Sequence, residues 1–238
     1  YQTGEVLCML STPSFDPADD AEVAKVAAGD SNYDGAYLNR FLSGTYTPGS
    51  TFKLVTSAAA LETLHNENSF SYTCKGSLTL NGEKITCPSV HGTQDFATAL
   101  ANSCNGAFAT LATQVGGKTL EKYAQEAGLT SKVNVNGLNS AAGNFTAGTS
   151  DNDVGWSGVG QYKDLVNPCA ELTLMGCIAQ GGSAATPRLL KSVTSSKGLP
   201  VAHVTTETSQ IGWKTDTCDK IRTMMHNNVT SNYSKSLD

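Results

Sequence analysis

Residues 45–61 constrain the fold of this chain more than any other stretch. They read TYTPGSTFKLVTSAAAL, so a Pro48-Gly49 break is followed at once by a broad apolar pattern with helical spacing. The pattern predicts a helix to about Leu64 that is buried on nearly every side. Such a helix lies inside a domain, so the rest of the chain must be arranged around it.

The first turn of this predicted helix carries a hydroxyl and an amine. Ser50 and Lys53 are three residues apart, which places their Cβ atoms about 5–6 Å apart on one face. Apolar surroundings lower the pKa of a lysine, so a neutral amine can accept the serine proton. The unpaired N–H groups of a helix N-terminus can stabilise an oxyanion. A bare Ser-x-x-Lys is expected by chance in a chain of this composition, and the apolar continuation is what favours an activated nucleophile.

Several sequence blocks resemble one known family in the family's own order. Residues 46–53 resemble the first motif of the penicillin-binding protein transpeptidase domain, of class B-like type within the serine acyl-transferase/β-lactamase superfamily. Ser103-Cys104-Asn105 resembles its second motif, Ser-x-Asn. The remaining matches span nearly the whole chain and lie at residues 3–17, 39–40, 91–92, 158–161 and 179–187.

The resemblance implies an α+β fold of the β-lactamase/transpeptidase type, with a helical cluster packed on an antiparallel sheet. It implies a D,D-transpeptidase that cross-links peptidoglycan stem peptides ending in D-Ala-D-Ala, and that is acylated by β-lactam antibiotics. Ser50 would be the nucleophile, Lys53 its general base, Ser103 a proton relay and Asn105 a substrate-binding residue. No cofactor and no metal are implied, and other cell-wall synthesis proteins are candidate partners.

The family's third motif, Lys-Ser/Thr-Gly, has no match in the chain. Four lysines are followed by Ser or Thr but then by a residue other than Gly, and they are Lys118, Lys191, Lys214 and Lys235. We therefore interpret residues 1–238 as a single transpeptidase-type domain that is incomplete at both ends and lacks its C-terminal strands. The resemblance places it on the extracytoplasmic face of a bacterial cytoplasmic membrane, anchored through a segment outside this chain.

Two alternatives keep the fold and change the function. A serine β-lactamase or β-lactam sensor would also use a Ser-Thr-Phe-Lys motif. The second motif of those relatives is usually Ser-x-Val, so Asn105 argues against them. A catalytically degenerate scaffold domain would explain the missing third motif. The intact Ser50, Lys53, Ser103 and Asn105 argue against that alternative.

Ser-x-Asn occurs a second time, at Ser150-Asp151-Asn152. This copy lies in residues 137–156, a stretch rich in Gly, Asn, Thr and Ser for which we predict a loop and no helix. Ser103 lies at a junction between two apolar helical segments, where a short loop can be held precisely. We therefore predict that Ser103, rather than Ser150, belongs to the site.

Local signals predict most other elements. Asn81-Gly82 is a strong type I′ turn signal and predicts a hairpin over residues 77–85. Asp95 and Asn167-Pro168 predict helix starts. Strands are predicted at residues 4–11 and 188–193, and helices at residues 22–28, 96–101, 107–115, 119–128, 169–180 and 216–229.

Charge and cysteine content bound the function further. The net charge is −5 and there is no Lys/Arg cluster, which argues against nucleic acid as a partner. Seven cysteines leave at least one thiol outside any intramolecular disulfide. Cys74 and Cys87 flank the predicted hairpin on a diagonal, which leaves a disulfide between them open. Together with His91 they lack the tight paired spacing of zinc sites, so no metal is predicted.

Overall fold

The computed structural model describes residues 1–202 and 204–230, and all statements about the structure concern these residues. The eight helices in this part are α1 Asp20–Ala27, α2 Lys53–Thr63, α3 Phe96–Ala101, α4 Asn105–Val115, α5 Gly117–Glu126, α6 Asp151–Val159, α7 Pro168–Ala179 and α8 Thr215–Asn228. The ten strands are β1 Tyr72–Cys74, β2 Ser77–Leu80, β3 Glu83–Thr86, β4 Gly92–Gln94, β5 Asn134–Val135, β6 Leu138–Asn139, β7 Ser183–Ala185, β8 Val193–Thr194, β9 Pro200–Ala202 and β10 Thr208–Gln210.

The strands form antiparallel pairs around a helical core, which confirms the α+β class. The pairs are β1 with β4, β2 with β3, β5 with β6, β7 with β10 and β8 with β9. Within the described residues these pairs are five separate two-stranded ladders. None of the helices described is long and apolar enough to cross a membrane.

Helix α2 is the centre of the core, as predicted. Every residue from Lys53 to Leu61 is buried, and α4, α5, α6 and α8 pack around the helix. The three consecutive alanines at 58–60 are fully inaccessible. Their small side chains let neighbouring helices approach from several sides, so a helix with little amphipathic character is stable here.

The prediction of a loop without a helix at residues 150–156 was wrong. Helix α6 begins there, and the Ser150 side chain caps it by accepting from the Asp153 N–H at 3.1 Å. The helix lies against α4 through glycines, and a Cβ at Gly158 would be 2.2 Å from the Ala112 Cβ. Because glycine replaces the apolar side chains that mark a helix face, hydrophobic periodicity does not reveal this helix.

The hairpin and the helices that were predicted from short-range signals are present where they were predicted. The hairpin pairs Leu80 with Glu83 across Asn81-Gly82, in the predicted register. Asp95 caps α3 by accepting from the Thr98 N–H at 2.8 Å, and Asn167 caps α7. Each of these signals acts over a few residues, which is why the sequence is sufficient to predict it.

The two predicted strands at residues 4–11 and 188–193 did not form. Only Glu5 and Arg188 make a bridge, with parallel orientation, and a short strand begins at Val193. Leu7 and Leu10 are 92% and 76% exposed. Residues 4–11 have the apolar composition of a strand but no neighbouring strand in the described residues, and a strand needs a partner for its backbone hydrogen bonds.

Lys235, one of the four lysines followed by Ser or Thr, lies outside the described residues.

Candidate active site

Ser50 lies in a tight turn that immediately precedes α2. Residues Gly49–Phe52 form a single 3₁₀ turn, and Lys53 follows as the first residue of the α-helix. The Gly49 N–H donates to the Gly160 carbonyl at 2.9 Å, and the Phe52 ring stacks on Phe145 with centroids 4.5 Å apart. The turn is thus held on both sides, while Ser50 itself is exposed to solvent.

Gly160 contacts this turn closely, a role that was not predicted although residues 158–161 resemble a block of the family. Gly160 follows α6 with φ +82°, and a Cβ there would be 2.1 Å from the Gly49 carbonyl oxygen. Only glycine satisfies both the left-handed backbone and the contact. A glycine after a helix is a common end signal, so no local pattern pointed to a contact with a residue so far away in the chain.

We expect Gly160→Ala to destabilise the protein and displace the Ser50 turn. The left-handed conformation costs about 1–2 kcal/mol for alanine, and overpacking adds about 1–3 kcal/mol. Gly198→Ala is the matched control, because Gly198 has φ +78° but a Cβ added there would have no atom within 4 Å. Thermal unfolding of both variants checks this, and equal losses of stability would show that the Gly49 contact has no effect.

Lys53 projects from α2 into a buried polar cluster. Its Nζ donates to Ser50 Oγ at 3.1 Å, Ser103 Oγ at 2.8 Å, the Ser103 carbonyl at 2.6 Å and Asn105 Oδ1 at 2.8 Å. The residue is fully inaccessible, and Nζ also lies 5.8 Å from the centre of the Phe108 ring. None of the ion pairs in the described residues includes Lys53.

Burial lowers the pKa of Lys53 to about 8, because desolvation disfavours the ammonium form. The nearby Cys87 and Cys104 sulfurs oppose this and raise the pKa. A neutral amine is therefore accessible close to neutral pH, which is a requirement for a base that takes the proton of a serine.

Ser103 and Asn105 complete the cluster from the start of α4. Ser103 Oγ donates to Ser50 Oγ at 2.9 Å, so the two hydroxyls and the amine are in mutual contact. Ser103 has φ +50°, an unusual backbone angle that turns its side chain and carbonyl toward Lys53. Asn105 Nδ2 donates to the Thr86 carbonyl at 2.7 Å, which fixes its amide against β3.

All four residues predicted for the site come together, and the second Ser-x-Asn does not join them. Ser150 caps α6, and Asn152 is buried within that helix. The Thr86 carbonyl was not predicted as a support for the site, because a backbone contact leaves no signal in side-chain identity. In this arrangement Ser50 Oγ can lose a proton to Lys53 Nζ, either directly or through Ser103 Oγ.

Comparison with known proteins identifies the family. The family model "Penicillin binding protein transpeptidase domain" matches residues 1–238. Peptidoglycan D,D-transpeptidase PbpA of Mycobacterium tuberculosis is 31% identical over 218 residues, which cover 86% of this chain and 43% of that protein. Stage V sporulation protein D of Bacillus subtilis is 36% identical over 139 residues, or 56% of this chain and 20% of that protein.

Solved structures agree with the sequence matches. An imipenem acyl-enzyme complex of penicillin-binding protein A from M. tuberculosis superposes with a TM-score of 0.84 at 26% identity, covering 98% of this chain and 57% of that one. A penicillin G acyl-enzyme complex of the same protein superposes with a TM-score of 0.82 at 26% identity, covering 96% of this chain and 55% of that one. The chain spans less than half the length of the PbpA protein that it matches. The chain belongs to the penicillin-binding protein transpeptidase domain family.

Proposed function

We propose that this chain carries the acyl-transfer site of a serine-type D,D-transpeptidase that cross-links peptidoglycan stem peptides. The observation that carries the proposal is the contact of Lys53 Nζ with Ser50 Oγ, Ser103 Oγ and Asn105 Oδ1, all within 3.1 Å. A buried amine that has no ion-pair partner among the described residues, beside an exposed serine, is suited to nucleophilic acyl transfer. The names of the relatives support the same activity.

In the proposed acylation, Ser50 Oγ attacks the carbonyl carbon of the penultimate D-Ala and its proton passes to Lys53 Nζ. Collapse of the tetrahedral intermediate breaks the C–N bond. The leaving D-Ala amine takes a proton from Lys53, relayed by Ser103 Oγ at 2.8 Å. Asn105 holds Lys53 and contacts the substrate amide. An amine of a second stem peptide then attacks the ester, loses its proton to the same base, and releases Ser50 Oγ in protonated form.

The N–H of Ser50, in the first turn before α2, is the proposed first oxyanion donor. The family resemblance assigns the second donor and the substrate-carboxylate site to a strand carrying Lys-Ser/Thr-Gly, and the proposal takes that strand to be part of the whole protein. We further propose that the whole protein acts on the extracytoplasmic face of the membrane, that it is anchored through a segment outside these 238 residues, and that other cell-wall proteins are its partners.

Intact mass after incubation with benzylpenicillin tests the proposal on the full-length protein. We expect the mass to increase by one penicillin per chain, and Ser50→Ala to abolish the adduct because Ser50 combines the Lys53 contact with exposure to solvent. Ser131→Ala, at an exposed serine in a turn, is the control and should be acylated normally. No adduct on folded protein would overturn the proposal, and an adduct lost within seconds would identify a hydrolase instead.

The rate of acylation should depend on pH through Lys53. Because the base must be neutral, the rate should rise about tenfold per pH unit below the pKa of about 8 and level off above it. Besides its uncharged hydrogen-bond partners, Lys53 faces the Cys87 and Cys104 sulfurs, which raise its pKa, and the uncharged Phe108 ring. Stopped-flow acylation by nitrocefin from about two pH units below this pKa to one above it measures the profile. A rate that falls over this interval would exclude a neutral lysine base.

A further inference from the structure

Three cysteines and a histidine meet beside the second motif, although they are spread over the stretch from residue 74 to residue 104. The ligand atoms of Cys74, Cys87, His91 and Cys104 all lie within 4.8 Å of one another. Cys74 and Cys104 are buried, and Cys87 and His91 are partly buried. Each thiol is free, so the cluster is a set of four metal-binding groups and not a disulfide pair.

The fold brings these side chains together by strand pairing. The β1–β4 register places Cys74 opposite Gly92, which makes His91 its neighbour. Cys87 follows the β2–β3 hairpin, and its N–H donates to the Gly76 carbonyl at 2.9 Å. Cys104 lies directly before α4. Three chain segments, namely β1, the β3–β4 connection with Cys87 and His91, and the start of α4, thus bring four ligand atoms within 4.8 Å of one another.

The spacing of the sulfurs fits a tetrahedral metal site. Cys87 Sγ and Cys104 Sγ are 3.7 Å apart. Two thiolates on one Zn²⁺ at Zn–S distances of about 2.3 Å are separated by about 3.8 Å in a regular tetrahedron. A disulfide requires about 2.05 Å between the sulfurs. The observed distance therefore agrees with two ligands of one ion.

The histidine has the nitrogen that a metal needs. His91 Nδ1 is buried and has no hydrogen-bond partner within the described part of the chain. Nε2 is 3.0 Å from Ser89 Oγ, a contact that fixes the ring as hydrogen bonds to metal-bound histidines commonly do. Gly76 and Gly106 donate N–H groups to the sulfurs of Cys74 and Cys87, each at 3.4 Å. Such donors stabilise thiolates.

We propose that Cys74, Cys87, His91 Nδ1 and Cys104 bind one structural Zn²⁺ ion. Three thiolates and an imidazole are a ligand set typical of zinc, and four protein ligands leave no open position for a substrate. The sequence did not predict this site, because Cys74 and Cys104 are each far along the chain from the next ligand. Only strand pairing and the turn at Ser103 close those distances.

The ion would also hold the second motif in place. Cys104 lies between Ser103 and Asn105, which both accept from Lys53 Nζ, and Asn105 contacts Thr86 next to Cys87. A metal bond from Cys104 to Cys87 would therefore tie the start of α4 to the β2–β3 hairpin beside Lys53. This positioning role rests on the proposed function, whereas metal binding itself does not.

The test measures metal content and spectra of the full-length protein, purified without chelators. We expect elemental mass spectrometry to find about one equivalent of zinc per chain in the wild type. In Cys87→Ser and in His91→Ala the zinc content should fall below about a tenth of an equivalent. Cys8→Ser, at an exposed thiol, and Cys169→Ala, at a buried thiol outside the cluster, are the controls and should keep their zinc. Exchange with Co²⁺ should give the intense visible bands of a tetrahedral thiolate site in the wild type and not in Cys87→Ser.

Stability and acylation give independent readouts. We expect a strong chelator to lower the melting temperature of the wild type by about 5 °C or more, and to leave folded Cys87→Ser unchanged. Zinc-depleted protein should acylate with benzylpenicillin about tenfold more slowly or worse, and recover on adding Zn²⁺. A content of less than about a tenth of an equivalent of bound zinc after incubation with Zn²⁺ would overturn the metal site, and so would a Cys87–Cys104 disulfide found by thiol titration. A full complement of zinc with no penicillin adduct would leave the metal site standing and overturn the transpeptidase function.

Discussion

Replacing Lys53 with methionine is expected to lower the rate of benzylpenicillin acylation by about 10³-fold, within the range known for removal of a general base. Methionine fills a similar volume but cannot accept the Ser50 proton. The change also removes the donor to Ser103 and Asn105 Oδ1, so some loss of stability is expected as well. Quenched-flow mass spectrometry of the full-length variant measures the rate, and circular dichroism checks that the protein is folded.

Lys53→Arg separates the two contributions of the amine, which are its charge and its ability to act as a base. A guanidinium keeps the positive charge but is not deprotonated in proteins, so we expect this variant to be as slow as Lys53→Met. Lys118→Met, at an exposed position on α5, is the matched control and should acylate at the wild-type rate. An arginine variant with a rate close to that of the wild type would mean that the charge alone is sufficient and that Lys53 is not the base.

The second large effect is expected for Ser103→Ala, which should slow acylation by about 10²-fold. Ser103 Oγ contacts both Lys53 Nζ, at 2.8 Å, and Ser50 Oγ, at 2.9 Å, and it thereby bridges the proposed base and the proposed nucleophile. Its loss removes the proton relay but leaves the carbonyl contact of residue 103 with Lys53, so the fold should survive. Stopped-flow nitrocefin acylation gives the rate.

Ser150→Ala is the internal control for this change, because it belongs to the other Ser-x-Asn of the chain. Its side chain caps α6, so alanine should cost about 1 kcal/mol of stability without changing acylation. The two variants should therefore show opposite behaviour, with a slow folded Ser103→Ala and a fast, slightly destabilised Ser150→Ala. If Ser103→Ala acylates as fast as the wild type, the relay role is wrong.

Local sequence signals were sufficient to predict that Ser50 and Lys53 lie together, and to predict much of the helical framework. The i,i+3 spacing of Ser50 and Lys53 places them on a shared face as soon as the chain is helical there, and the apolar residues after Lys53 require the burial of α2. The caps at Asp95 and Asn167 and the turn at Asn81-Gly82 also act within a few residues. These features were predictable because their physical cause lies in neighbouring residues.

The tertiary structure alone decided which distant residues join the site. Gly160 contacts Gly49, Thr86 holds Asn105, and Cys74 meets Cys104, and each contact depends on how several elements pack rather than on any local pattern. Packing also turned the stretch after Ser150 into α6. It left residues 4–11 without the partner that a strand needs. The sequence thus determined the chemistry of single residues and turns, and tertiary packing determined their partners, because a contact between residues in different elements leaves no periodic signal along the chain.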